Sequence, residues 1–85
     1  MPNVVMYCTA TCPFCRNAEK LLTKKGAQIE KILVDEDESL WDEMEQKTGR
    51  DTVPQIFIGD RHIGGFDDMA ELDIDDELDP LLGLS

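Results

Sequence analysis

The stretch Val4-Val5-Met6-Tyr7-Cys8-Thr9-Ala10-Thr11-Cys12-Pro13-Phe14-Cys15 decides how this chain folds. Asn3 to Tyr7 is apolar and partly β-branched, the composition of a first strand. Pro13 to about Lys25 reads as a helix, because Phe14, Ala18, Leu21 and Leu22 fall at i, i+4, i+7 and i+8 and form one apolar stripe. Pro13 suits the first helical position, where a missing N–H costs nothing. Gly26 stands where a helix stop is expected. Cys12 is thereby placed at the cap of the helix, with Cys15 in its first turn.

The pattern continues outward from this unit. Ile29 to Val34 is rich in Ile, Leu and Val, as a strand buried on both faces would be. Asp35 to Glu38 reads as an acidic loop. Ser39 is expected to cap a second helix, with Asp42 at its third position favouring the positive end of the dipole. Leu40, Trp41 and Met44 give that helix an apolar side, and Gly49 ends it. Gln55 to Ile58 and Arg61 to Ile63 are short strands around Gly59-Asp60, a tight hairpin signal. Asp67 or Asp68 is expected to cap a third helix carrying Met69, Ala70 and Leu72, and Leu78 to Leu84 forms a short helical turn. The order β-α-β-α-β-β-α starts with a crossover unit of parallel strands and closes with an antiparallel hairpin. The expected product is an α/β protein, one domain over residues 1–85, with a four-stranded mixed sheet and helices on both faces.

Cys12 and Cys15 are three apart, so both sulfurs lie on one side of the first helical turn. The unpaired N–H groups of that turn and the helix dipole favour negative charge at Cys12 and therefore thiolate over thiol. Cys12, exposed at the tip, can attack a disulfide, and the more buried Cys15 can resolve the mixed disulfide by closing the pair. Zinc needs four ligands and would have to recruit Cys8 and the lone His62 from other elements, so no metal site is expected. The spacing C-x3-C-x2-C from Cys8 to Cys15 also occurs around the clusters of radical S-adenosylmethionine enzymes, but those are barrels far larger than 85 residues. Here a helix starts at the second of the three cysteines. Cys8 reads as a small side chain at a strand end or as a regulatory thiol.

Charge excludes further classes. The net charge is −11. Residues 1–34 carry +3 and residues 35–85 carry −14. Such a surface attracts neither nucleic acid nor an anionic membrane. No apolar run approaches the roughly 20 residues of a membrane span. Met1 to Tyr7 lacks the basic stretch that precedes the apolar part of a secretory signal, and three bunched cysteines make a poor disulfide scaffold. A cytoplasmic location is the expectation.

Two further motifs accompany the cysteines. Thr52-Val53-Pro54 suggests a cis Val53–Pro54 bond that lays the Val53 backbone beside them, with its N–H and C=O free to pair with an extended peptide-like ligand. In Gly64-Gly65-Phe66-Asp67-Asp68 the glycines permit close backbone approach. The aspartates there read either as a helix cap or as part of a site for an α-amino acid end, the carboxylate on backbone N–H groups and the ammonium on an Asp.

These residues together resemble the glutaredoxin family, in its short bacterial dithiol type. The resemblance spans nearly the whole chain. It rests on Tyr7, Cys12-Pro13-Phe14-Cys15, Thr48-Gly49-Arg50, Thr52-Val53-Pro54-Gln55-Ile56-Phe57-Ile58-Gly59 and His62-Ile63-Gly64-Gly65-Phe66-Asp67-Asp68. It implies a thioredoxin-like fold and a monomer that has no tightly bound cofactor and takes glutathione as co-substrate. Its implied substrates are protein disulfides and glutathionylated proteins, with ribonucleotide reductase a possible electron acceptor. Cys12 would be the nucleophile and Cys15 the resolving thiol. Tyr7, Pro13, Phe14, Thr52, Val53, Pro54, Gly65, Phe66, Asp67 and Asp68 would surround glutathione, with Val53 on its cysteine part and the last four at its γ-glutamyl end.

Two positions depart from the family. Many members carry Lys where Thr9 stands and Arg or Gln where Trp41 stands, side chains that hold the glycine carboxylate of glutathione. Their loss leaves Arg50 as the substitute, or weaker binding by roughly tenfold. Two alternatives follow from the same resemblance: reduction by thioredoxin reductase in place of glutathione, or carriage of an iron–sulfur cluster.

Overall fold

The structure is a computed structural model that describes residues 2–84. Its elements are β1 (Val4–Cys8), α1 (Pro13–Lys24), β2 (Ile29–Leu33), α2 (Glu38–Thr48), β3 (Gln55–Ile58), β4 (Arg61–Gly64), α3 (Phe66–Ile74) and α4 (Leu78–Leu81). The sheet runs β2-β1-β3-β4. β1 pairs in parallel with β2 and antiparallel with β3, and β3 pairs antiparallel with β4. The mixed four-stranded sheet of the sequence reading is therefore the observed one.

Alternation along β1 divides the interior. Val4, Met6 and Cys8 face one side, where they pack with Cys15, Ala18 and Leu22 of α1, Met69 of α3, and Leu78 and Leu82 of the tail. Val5 and Tyr7 face the other side, against Val34 and Met44, with Leu40 and Trp41 of α2 packed around them. One helix thus covers one face, and α1 and α3 cover the other. Lys25, just past α1, ties that layer together at its far end, with Nζ 2.9 Å from Asp73 and 2.6 Å from Asp79. Both carboxylates raise the Lys25 pKa above its usual value.

Three sequence expectations are corrected. The strand from Ile29 is not buried on both faces. It is the edge strand, with Glu30 and Lys31 exposed. Its apolar residues are only half-buried, Ile29 and Leu33 against the α1 layer and Ile32 against the α2 layer, and Val34 just beyond it is buried. The second helix begins at Glu38, inside the expected acidic loop, because Asp37 and not Ser39 is the cap. The Asp37 carboxylate accepts from both the N–H and the hydroxyl of Ser39, each at 2.9 Å. Asp42 consequently lies beyond the third position. The third helix is capped by Gly65, with Asp67 and Asp68 inside its first turn.

Leu22 is fully buried between the sheet and α3. Leu22→Ala should cost about 2–5 kcal/mol in urea unfolding, as large-to-small core changes do. The exposed neighbour change Thr23→Ala should stay within about 0.5 kcal/mol.

Candidate active site

The register of β1 on β3 pairs Tyr7 with Gln55. The segment leaving β1 toward Cys12 therefore runs beside the segment entering β3 from Val53-Pro54. The Val53–Pro54 bond is cis. Cys12 caps α1 in extended conformation, and its carbonyl accepts the first helical bond from Arg16 N–H at 3.2 Å. Its half-buried sulfur points at the Val53 carbonyl oxygen, 3.9 Å away. Pro13 at the first helical position lets the turn start without leaving a donor unpaired.

One helical turn separates the two thiols by environment. Cys15 is only 4 % exposed and belongs to the core. Burial is the main cause that pushes its pKa up to about 12, and a bond to the Cys12 sulfur adds to the rise. The Thr9 backbone N–H opposes the shift. All three cysteines are free thiols. Cys8 is also buried, and desolvation raises its pKa as well. The pair therefore consists of one accessible sulfur and one held as a neutral thiol behind it.

A groove of about 220 Å³ adjoins this turn. Phe14, 56 % exposed, forms one wall. Thr52, Val53 and Pro54 form the floor, and Gly65, Phe66, Asp67 and Asp68 close the far side. The close approach of α3 depends on glycine. Gly64 has φ +113°, and a Cβ there would collide with the Asp68 carboxylate. That carboxylate instead accepts from Gly65 N–H at 2.9 Å and from Arg50 Nη1 at 3.0 Å. The Gly65 bond first, and Arg50 second, hold the Asp68 pKa below the usual carboxylate range.

The expected site residues thus divide. Phe14, Thr52, Val53, Pro54, Gly65, Phe66, Asp67 and Asp68 line one groove, Cys12 meets it through Val53, and Pro13 stands between Cys12 and Phe14 as the first residue of α1. Tyr7 is elsewhere. Its ring is buried under α2, and its hydroxyl donates to Glu43 at 3.1 Å and accepts from Lys47 at 3.2 Å. Strand alternation signals this, since Tyr7 and Cys8 must face opposite sides. Trp41 is turned toward Glu45, to which its indole N–H donates at 2.7 Å. Arg50 lines the groove, although the sequence suggests it only as a substitute cation.

Sequence reasoning also misses Gln55. This side chain is 0 % exposed. Its amide nitrogen donates to the Thr52 carbonyl at 2.9 Å and to the Thr52 hydroxyl at 3.3 Å. Its oxygen is then left to accept from His62 Nε2 at 2.8 Å. Burial, with Arg50 second, lowers the His62 pKa and favours the neutral ring. Gln55 thereby moors the loop that carries Val53. A lone amide heading an apolar strand, directly after proline, is the signal that points to it.

A four-stranded sheet of this order, with a helix-tip thiol and a buried thiol one turn behind it, is the arrangement of a thiol–disulfide oxidoreductase of thioredoxin-like fold. Comparison with known proteins narrows the class. The glutaredoxin family profile matches residues 4–63. Glutaredoxin 3 of Escherichia coli K12 is 46 % identical over 82 residues, covering 96 % of this chain and 99 % of that protein. The crystal structure of a buckwheat glutaredoxin–glutathione complex superposes with a TM-score of 0.89 at 33 % identity, over 96 % of this chain and 77 % of that one. The solution structure of glutaredoxin from Brucella melitensis gives 0.86 at 42 % identity, over 99 % and 91 %. This chain belongs to the glutaredoxin family, as an oxidoreductase of the dithiol type similar to glutaredoxin 3.

Three outcomes test the site. Gln55→Ala should lose about 1–3 kcal/mol in urea unfolding, since it strands the Thr52 carbonyl and the His62 donor. Alkylation followed by mass spectrometry should label Cys12 first. In Cys12→Ser the two remaining thiols should react slowly until well above pH 9. The same raised pKa makes the folded state lose stability relative to the unfolded chain as pH rises from about 9 toward 12, because the unfolded Cys15 gives up its proton first.

Proposed function

We propose that the chain takes glutathione as co-substrate and reduces protein–glutathione mixed disulfides and protein disulfides through Cys12 and Cys15. The observation that carries this reading is the groove beside Cys12, which offers complementary groups to both ends of a short peptide carrying a thiol. The Val53 backbone lies next to Cys12 and suits the cysteinyl residue in strand-like pairing. The first turn of α3 presents N–H groups without helical partners to a carboxylate. Asp68 is already engaged by Gly65 and Arg50, so the exposed Asp67 is the carboxylate left for an α-ammonium. Arg50 supplies positive charge along the groove where Thr9 and Trp41 supply none.

The chemistry follows in balanced steps. The Cys12 thiolate attacks the glutathione sulfur of a mixed disulfide, and the protein thiolate leaves. A second glutathione thiolate then attacks the glutathione sulfur held on Cys12, releasing oxidised glutathione and regenerating the Cys12 thiolate. With a protein disulfide, Cys12 first joins one substrate sulfur, and the other leaves as a thiolate that takes a proton from water. Cys15 then transfers its proton to the departing sulfur as it attacks Cys12. This closes Cys12–Cys15 and leaves the substrate as a dithiol, and two glutathione molecules reduce the pair. Keeping Cys15 protonated until that moment leaves Cys12 as the single nucleophile for the first step. The reading carries with it action as a monomer, one domain over residues 1–85, in the reducing cytoplasm, with targets that can include ribonucleotide reductase.

Coupling to glutathione reductase and NADPH tests it. The reduced protein should turn over a glutathionylated peptide. Cys12→Ser should abolish turnover, while Cys15→Ser should retain it and lose reduction of an intramolecular protein disulfide. Arg50→Ala should raise the KM for glutathione several-fold with little change in kcat. No NADPH consumption by the reduced parent protein overturns the reading.

A further inference from the structure

The eight cations of this chain are not equally committed. Among the described residues, Lys25, Lys31 and Arg50 sit in ion pairs and Lys47 bonds to the Tyr7 hydroxyl. Arg61 lies apart on β4. Arg16, Lys20 and Lys24 are exposed and make no such bond. These three stand four residues apart on α1, and the same spacing leads back to Cys12. Cys12 is the extended N-cap of α1 and its carbonyl accepts from Arg16 N–H, so an i±4 ridge of three free cations starts one turn past the attacking residue. They border a shallow hollow of about 460 Å³, together with Glu19 and Thr23. Glu19, the acid of that border, is already neutralised by Lys31 at 3.1 Å. The hollow shares no residue with the groove proposed for glutathione.

This local field is opposite in sign to that of the whole molecule, whose net charge is −11. A long polyanion is repelled by the whole, whereas a short acidic segment that reaches only α1 is attracted. Spacing defines the segment further. Four helical residues advance about 6 Å along the axis. Alternate residues of an extended chain, which share one side, advance about 6.6 Å. A strand-like segment with an acid at every second position thus matches the ridge charge for charge.

We propose that the outer ridge of α1 is a docking surface for the protein partner, and that it selects disulfides whose cysteine is followed by an extended segment with acidic residues at alternating positions. The inference rests on the thiol–disulfide exchange at Cys12 proposed above. It identifies a face separate from the glutathione groove as the one that reads the partner. The acidic bulk of the protein then acts by exclusion, turning away partners that are acidic over a wide area.

Two measurements test it. The first compares glutathione mixed disulfides of Cys-Ser-Asp-Ser-Asp-Ser-Asp and of its Asn counterpart. The parent protein should favour the acidic peptide in kcat/KM by about tenfold at low salt, a factor consistent with three exposed pairs, and the preference should shrink in 0.5 M salt (about a 4 Å Debye length). The triple variant Arg16→Glu, Lys20→Glu, Lys24→Glu should reverse the order. The ratio within each protein cancels any change at Cys12 itself. Equal rates on the two peptides, or equal losses in the variant, overturn the proposal. The second is fluorescence anisotropy with Cys12→Ser protein and labelled peptides in which Ser replaces Cys, which needs no turnover. Preferential binding of the acidic peptide, lost in the triple charge variant, supports the ridge even if glutathione fails as reductant. Indifference of binding to peptide charge overturns it.

Discussion

The pairing of β1 with β3 is the constraint from which the rest of the site follows. Tyr7 opposite Gln55 sets the end of one strand against the start of another. The chain must then leave β1 toward Cys12 alongside the chain entering β3 from Val53. A slip of one residue would turn Cys8 and Met6 out of the α1 face and carry the Val53 carbonyl away from the sulfur. The contact across this junction is weak in itself, a thiol 3.9 Å from a carbonyl oxygen. It persists because core packing on both faces of the sheet determines the register.

The register also explains why the polar groups around the groove are so thoroughly tied. Val53 can present its backbone to a ligand only if its neighbours need none of that backbone for themselves. Gln55 meets this condition by bonding both oxygens of Thr52 from below, and His62 braces Gln55 from β4. On the far wall Asp68 joins Gly65 to Arg50. The loop and the helix start are thus held by side chains, and the groove between them keeps its shape without a ligand. Preorganisation of this kind lowers the ordering cost of binding.

Much of this is legible in the sequence because it is written in local rules. Cys12-Pro13 is a cap followed by a first helical residue, the stripe from Phe14 to Leu22 has helical period, and Gly59-Asp60 between two short strand-like runs is a hairpin. What escapes reading depends on partners distant in sequence. Ile29 to Leu33 has the composition of an inner strand, and only the strand order shows that it lies at the edge. Asp37 and Ser39 are both good caps. Asp37 wins because its carboxylate can take two bonds from Ser39 at once. Resemblance assigns Tyr7 to the ligand site, although strand alternation sends its ring beneath α2. Gln55 goes unnoticed because its partners, Thr52 and His62, meet only when the hairpin closes.

The same distinction bears on charge. Composition reports a total, and the total of −11 describes a protein that should avoid anions. Function depends on where the uncommitted charges lie. Ion pairs remove Lys25 and Lys31 from the external field, and Arg50, bonded to Asp68 through Nη1, is turned to the groove. Lys25 closes the far end of the helical layer, Lys31 secures the edge strand to α1, and Arg50 braces α3. The cations left over on α1 are grouped by the geometry of a helix, which returns every fourth residue to nearly the same side. A ridge that begins one turn past the reactive cysteine needs no separate targeting element. Whatever it attracts arrives at Cys12, while the acidic remainder of the surface disfavours approach from other directions.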